Sequence, residues 1–416
     1  MKTYQKRNTK CSPGVKEMKN DNEKTTRIDY GIVLCILVLA IFGLVSLYST
    51  TVLISGGGIR TTVMQGIWYI LGTAVAAMIM LFDSEQLWKI TNYLYWLGIG
   101  ALVFTLLFYD RGLAAVTGAR SWINIPIINF TLQPSEFVKI PYILILAKTT
   151  TLHNAKFKNR TVQSDFQLMG KLILWSLLPF ALIMGQNDLG TALVYAAVLA
   201  GIILLSGIQW KILIPIFSTI IFVGGGIILL ALYNPEFLMD VLDVGQYQID
   251  RIVTWLNPYH DTSSSSYQVT QAFKAIGSGG VFGKGLGVSE VYVPVRESDM
   301  IYATIAENFG FVGGSVLIFT YFVLVYNMIK IVYDTKNEFY AYVATGVIMM
   351  IVFHVLENIG MNIGLLPVTG IPLPFVSQGG SALLGNMMGI GLIMSMRFHH
   401  RSYMFSGEGE DFHSGV

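Results

Sequence analysis

Apolar runs of similar length recur along the chain at roughly 31–53, 64–82, 92–109, 137–152, 171–186, 188–206, 210–233, 300–333, 340–366 and 379–397. Each is near the ~20 residues a helix needs to cross ~30 Å of hydrocarbon. The pattern predicts an all-α polytopic membrane protein of about ten transmembrane helices. The polar turn Gly185-Gln186-Asn187-Asp188 divides the stretch 171–206 into two short spans. The run at 300–333 is long enough to project beyond the bilayer. The one long polar interruption, 234–298, lies before the eighth span. The organisation expected is a flexible tail over 1–29, a transmembrane domain over 30–397 that includes this loop, and a short polar tail over 398–416.

Composition agrees with the periodicity. Charged residues make up 12% of the chain and hydrophobic ones 53%, against roughly 25% charged in soluble domains. Mean hydropathy is +0.59. The first thirty residues are too long and too charged for a cleaved signal peptide, so the first span is expected to act as an uncleaved anchor. Cys11 and Cys35 are the two cysteines, too few for a disulfide framework or a metal quartet. The basic residues are dispersed, which excludes a nucleic-acid patch and assigns them to topology. With the N-terminus inside, nineteen of the 27 Lys and Arg fall on inner segments. The other eight are Arg60, Arg111, Arg120, Lys139, Arg251, Lys274, Lys284 and Arg296. That distribution predicts cytoplasmic termini and an extracytoplasmic 234–298 loop in a plasma-membrane protein.

Several of those outer cations stand in segments that look chemical. Gly118-Ala119-Arg120-Ser121-Trp122-Ile123 precedes Thr131-Leu132-Gln133-Pro134-Ser135-Glu136-Phe137-Val138-Lys139. Pro134 and Ser135 suit a helix start, with Glu136 in its first turn. Glu136 and Lys139 are either a pair at helical spacing or, with Arg120, part of an anion site. Asp188 reads as an N-cap of the following helix. The run from Ala275 to Gly287 is rich in glycine and carries Lys284; it lacks the strand–loop–helix context and the Gly-Lys-Ser/Thr ending of a nucleotide site. It is either a flexible loop or a backbone cradle for an anion. Asp299 stands where the chain re-enters the apolar run Met300-Ile301-Tyr302-Ala303. A carboxylate there is expensive unless paired or functional; it is either a cap or a general base. Glu307 lies two turns further along the same face. The prolines and glycines of 358–381 force irregular backbone at membrane depth, tolerated only if buried in protein or lining a wet cavity. His354, Glu357 and Asn358 favour a cavity.

Seven strings carry a family resemblance: GARSWI, LQPSEFVK, QNDLGTA, RIVTWLNP, YQVTQAFKAIGSGGVFGKGLG, SDMIYATIAENFGFVGG and NIGMNIGLLPVTGIPLPFVSQGGS. Together they resemble the SEDS proteins (shape, elongation, division and sporulation), the family of RodA and FtsW, from about residue 30 to 397. The segment Gly370–Phe375 looks more like RodA. Departures include Val293-Pro294-Val295, Glu307-Asn308-Phe309-Gly310 and Ser377-Gln378-Gly379-Gly380.

The resemblance implies a peptidoglycan glycosyltransferase that polymerises lipid II at the outer membrane face, with a class B penicillin-binding protein as partner. It places the family's essential Asp on Asp299, expected here to act as general base. The substrate-binding candidates are Arg120, Trp122, Gln133, Ser135, Glu136, Lys139, Lys284, Glu307 and Ser377. A divalent cation, Mg²⁺ or Mn²⁺, is an optional cofactor, with Asp299 as its one candidate ligand. The competing expectation is a lipid II flippase, for which irregular backbone and buried polar groups would also serve. A scaffold that only anchors the transpeptidase is the third.

Overall fold

The structure, a computed structural model, describes residues 27–125, 130–242, 245–259 and 266–405. Most of the N-terminal tail, Cys11 included, lies outside the described residues. The ten expected spans are all present as helices: α1 (Tyr30–Tyr48), α2 (Arg60–Met80), α3 (Ser84–Leu107), then, after the short α4 (Arg111–Thr117), α5 (Pro134–Lys156), α6 (Val162–Gly185), α7 (Leu189–Leu205) and α8 (Trp210–Tyr233). The 234–298 region contributes α9 (Pro235–Leu242), α10 (Gln246–Leu256) and α11 (Tyr267–Ser278); α12 (Ile301–Thr335), α13 (Glu338–Asn362) and α14 (Gly380–Phe405) complete the set. Eight are long and apolar enough to cross a membrane by length and composition. The other two spans are α7, apolar but shorter, and α5, which carries Glu136, Lys139, Lys148 and Lys156.

Charge in α5 is tolerated because that helix runs through the interior of the bundle. Val138 to Ile140 and Tyr142 to Ala147 are buried almost without exposure. Around it stand α3, α7, α13 and α14, while Ile220, Ile221 and Phe222 of α8 face outward, as lipid-facing helices do. Local capping follows the sequence closely. Asp29 caps α1, Asp83 forms a capping box on α3, and Asp188 caps α7 by accepting from Thr191 N at 3.0 Å. Asn187 supplies the left-handed turn (φ 57) between α6 and α7.

Three features differ from the expected picture. The 234–298 region is largely helical: Ala231 of α8, Leu238 of α9 and Ile249 of α10 form a small apolar core of their own. A two-stranded hairpin, β1 (Ile123–Ile125) against β2 (Phe130–Leu132), joins the Arg120–Trp122 segment to the start of α5. The third difference is that α14 runs on to Phe405, into the tail expected from 398.

Candidate active site

Asp299 sits one residue before the N-cap of α12, which is Met300, so it does not cap that helix. Its main chain is clamped from several sides. The Asp299 carbonyl accepts from Asn358 Nδ2 at 2.9 Å and Asn362 Nδ2 at 3.1 Å. Ser377 donates to the Ser298 carbonyl at 2.6 Å, and Gln378 N donates to the Glu297 carbonyl at 3.0 Å. The carboxylate, by contrast, accepts one side-chain bond among the described residues, from Ser298 Oγ at 2.9 Å. It lies against Gly370, where a Cβ would come within 3.4 Å of Oδ2. Burial pushes this carboxyl up from the ordinary carboxylate range to about 6, opposed by the Ser298 hydroxyl and the Arg251 charge and assisted by Glu297. A group ionising near 6 is poised to take a proton at neutral pH.

The wall opposite is the irregular segment between α13 and α14. Its carbonyls are satisfied by side chains from three helices, α2, α12 and α13, the requirement for such backbone inside a membrane protein. Gln65 of α2 donates to Ser377 O at 3.3 Å and accepts from Gly379 N at 3.2 Å. Tyr69 donates to Phe375 O, Tyr321 to Pro374 O and Asn358 to Ile371 O. Ser377 is therefore both a buried joint and a neighbour of the Asp299 turn.

Lys284 and Glu307 belong to a different unit. Glu307 is fully buried and accepts from Arg296 Nη2 at 2.8 Å and Glu290 N at 3.1 Å, with Lys284 Nζ at 3.8 Å. Lys284 also pairs with Glu290 at 2.6 Å. The glycine-rich run is a strap that fills a break in α12. Gly310 leaves helical geometry at φ 66, ψ −162. The backbone groups freed there bind the strap: Lys284 N and Gly285 N donate to the carbonyls of Glu307 and Asn308 at 3.0 and 3.1 Å. Phe311 N and Val312 N donate to Gly280 O and Val281 O at 2.9 and 3.1 Å. Glycines are needed because a Cβ on Gly279 or Gly283 would overlap the α12 backbone. The amides of Lys284 and Gly285 are thus committed to protein carbonyls, not held open for an anion.

A third group lies inside the bundle. Lys139 is 1% exposed and donates to Glu136 Oε1 at 2.6 Å and to His354 Nε2 at 3.1 Å. The ring proton of His354 then sits on Nδ1, facing the Met350 carbonyl. Lys139 is an interior cation with two partners, away from the outer surface on which the basic-residue count placed it. Lys139→Ala would strand the Glu136 carboxylate in the core. The expected loss is about 3–5 kcal/mol, read as a lower melting temperature in detergent. Gln133 and Ser135 join helix ends: Gln133 N donates to Ser381 Oγ at 3.1 Å, its Nε2 to Asp188 Oδ2 at 2.8 Å, and Ser135 O accepts from Tyr195. Arg120 is exposed, its guanidinium 5.6 Å from the Tyr109 ring centre. Trp122 holds the start of α4 through its carbonyl, which accepts from Asp110 N.

The chain matches the FtsW/RodA/SpoVE family of cell cycle proteins over residues 30–402. It belongs to that family. It is 34% identical over 275 residues to stage V sporulation protein E of Bacillus subtilis strain 168, covering 65% of this chain and 70% of the relative. It is 33% identical over 274 residues to peptidoglycan glycosyltransferase MrdB of Escherichia coli K12, covering 65% and 69%. A solved chain from a peptidoglycan synthase complex that coordinates polymerization and crosslinking superposes with TM-score 0.72 at 24% identity, covering 90% of this chain and 98% of that one. The rod shape determining protein RodA of Thermus thermophilus superposes with TM-score 0.62 at 23% identity, covering 90% and 97%. The fold is therefore that of a multi-pass membrane protein of this family.

Residues that sequence reasoning did not assign complete the site. Arg251, on α10, is the nearby positive charge acting on Asp299; the count of outer basic residues had included it without a role. Asn358 and Asn362, one turn apart on α13, are the clamp. Among the described residues no group of three or more His, Cys, Asp or Glu is arranged to hold a metal ion.

Proposed function

We propose that this chain is a peptidoglycan glycosyltransferase that polymerises lipid II, with Asp299 as the general base. The names of its relatives favour a polymerase over a flippase. The observation that carries the catalytic assignment is the contrast at Asp299. Its backbone is held by two asparagine side chains, while its carboxylate keeps a raised proton affinity and, among the described residues, accepts from the Ser298 hydroxyl.

In the reaction, an acceptor sugar hydroxyl attacks the anomeric carbon of the donor. The bond from that carbon to the diphosphate oxygen breaks, the hydroxyl proton passes to Asp299, and polyprenyl diphosphate departs. Arg251 and Arg120 are the cations proposed to receive the diphosphate. Lys139, Lys284 and Glu307 act at one remove, by holding α5 and the strap. A divalent cation would find no protein cage among the described residues; the Asp299 carboxylate and the substrate's own phosphate oxygens would have to hold it, as Mg²⁺ sites on phosphates commonly do. A class B penicillin-binding protein is the proposed partner, and both termini are proposed to be cytoplasmic on the basic-residue count.

The test supplies lipid II to the purified protein in vesicles, with and without a class B penicillin-binding protein. Glycan polymer in either arm is the expected product. Translocation of lipid II without polymer in both arms would point to the flippase. Adding a chelator to the active arm decides the cation: loss of polymer restored by Mg²⁺ or Mn²⁺ supports it, and indifference removes it.

A further inference from the structure

Two residues other than glycine hold left-handed backbone beside Asp299: Val295 at φ 52 and Phe375 at φ 61. For a β-branched residue this region is a genuine outlier. Such a conformation persists only where the surroundings over-determine it. Packing of the valine side chain does not explain it, since Val295 is 46% exposed. Nor does turn chemistry, because glycine or asparagine would take the same φ with little strain.

What fixes Val295 lies on either side of it. Its carbonyl accepts from both Ser298 N at 3.2 Å and Met300 N at 3.3 Å, closing the turn that carries Asp299. The next residue, Arg296, is locked by Ser289 Oγ at 2.6 Å, Thr304 Oγ1 at 3.3 Å and Glu307 Oε2 at 2.8 Å. Val293, two residues before, is buried. Phe375 bends the facing wall, two residues before the Ser377 that binds Ser298.

We infer that Val295 is a positioning residue for the reaction: its left-handed backbone sets the closed turn that aims the Asp299 carboxylate at the acceptor hydroxyl. The inference rests on reading Asp299 as the base. Valine has few backbone wells and a stiff side chain, so the locked turn has one arrangement. Glycine at the same place would give it several.

The experiment compares Val295→Gly, Val295→Asn and Asp299→Asn with the natural protein in lipid II polymerisation, each checked for folding by its melting temperature. Val295→Gly is expected to lower turnover about tenfold or more with KM changed less than about twofold, the mark of lost aim more than lost binding. Its acid limb should move below pH 6, towards the ordinary carboxylate range, as the looser turn admits water to the carboxyl. Val295→Asn, which accepts left-handed φ readily, should stay within about threefold of natural turnover. Natural turnover and pH profile in Val295→Gly would overturn the inference and leave the base assignment standing. So would equal losses in the two Val295 variants, which would implicate the side chain and not the backbone. Full activity in Asp299→Asn would overturn both.

Discussion

Asp299→Asn is expected to polymerise lipid II about 10²–10⁴-fold more slowly than the natural protein, the usual contribution of a positioned base. Asparagine keeps the size of the side chain and can still accept from Ser298. The two asparagine donors to the Asp299 carbonyl are untouched by the change. Folding should therefore survive, and linkage fixes the sign of any stability change. The folded-state pKa is about 6 against an ordinary 3.8, so the folded protein binds the proton more tightly than the unfolded chain. Stability falls as pH rises from about 4 to 6 and stays lowered above that range. The neutral amide avoids this cost. Asp299→Asn should melt at or above the natural protein at pH 7, with a gain of up to about 3 kcal/mol. An inactive variant of undiminished stability separates a chemical role from a structural one; an inactive variant that melts early would not support the base assignment.

Gly283→Ala is expected to be the most damaging single methyl group in the 234–298 region. Gly283 has φ 81, and an added Cβ would overlap the Asn308 carbonyl at the break in α12. The strap would have to lift, leaving the carbonyls of the buried Glu307 and Asn308, and the amides of Phe311 and Val312, without their partners. Stranded buried backbone groups cost about 1–3 kcal/mol each, so a total loss above about 4 kcal/mol is expected. Gly285 is the control, since it has φ 93 but open space where its Cβ would go. Gly285→Ala should lose only about 1–2 kcal/mol, from backbone conformation alone. Thermal melting in detergent reads both. Equal losses in the two variants would show that the strap does not seat against α12 as described.

These effects mark where the sequence was informative and where it was not. The spans were legible because lipid imposes a length and a polarity on each helix separately. Asp188 as a cap and Glu136 with Lys139 as a pair were legible because their partners lie within four residues. The strap was not, because glycine spacing alone does not say what approaches the backbone. Its partner is a helix break more than twenty residues away, and Gly310 inside an apolar run looks like any other membrane glycine. The helices α9 to α11 were hidden because each is short and its core partners lie elsewhere in the chain: α9 and α10 share a small core with α8, and α11 packs Ala272 and Ala275 against Met300 and Ala303. Asp299 stood out as a charge at a lipid boundary, whereas Arg251 did not, since only the fold brings α10 to it. Asn358 and Asn362 were visible as polar residues in a span, yet their target was the main chain of a segment about sixty residues earlier.

The pH dependence of polymer formation tests the central claim most directly. Below pH 6 the rate of the natural protein under saturating lipid II should fall about tenfold per pH unit as Asp299 takes up its proton, with a plateau above about 7. Asp299→Asn should show a low rate with no such limb. A natural rate that stays level from pH 7 down to 5, or a limb that persists unchanged in Asp299→Asn, would contradict the account.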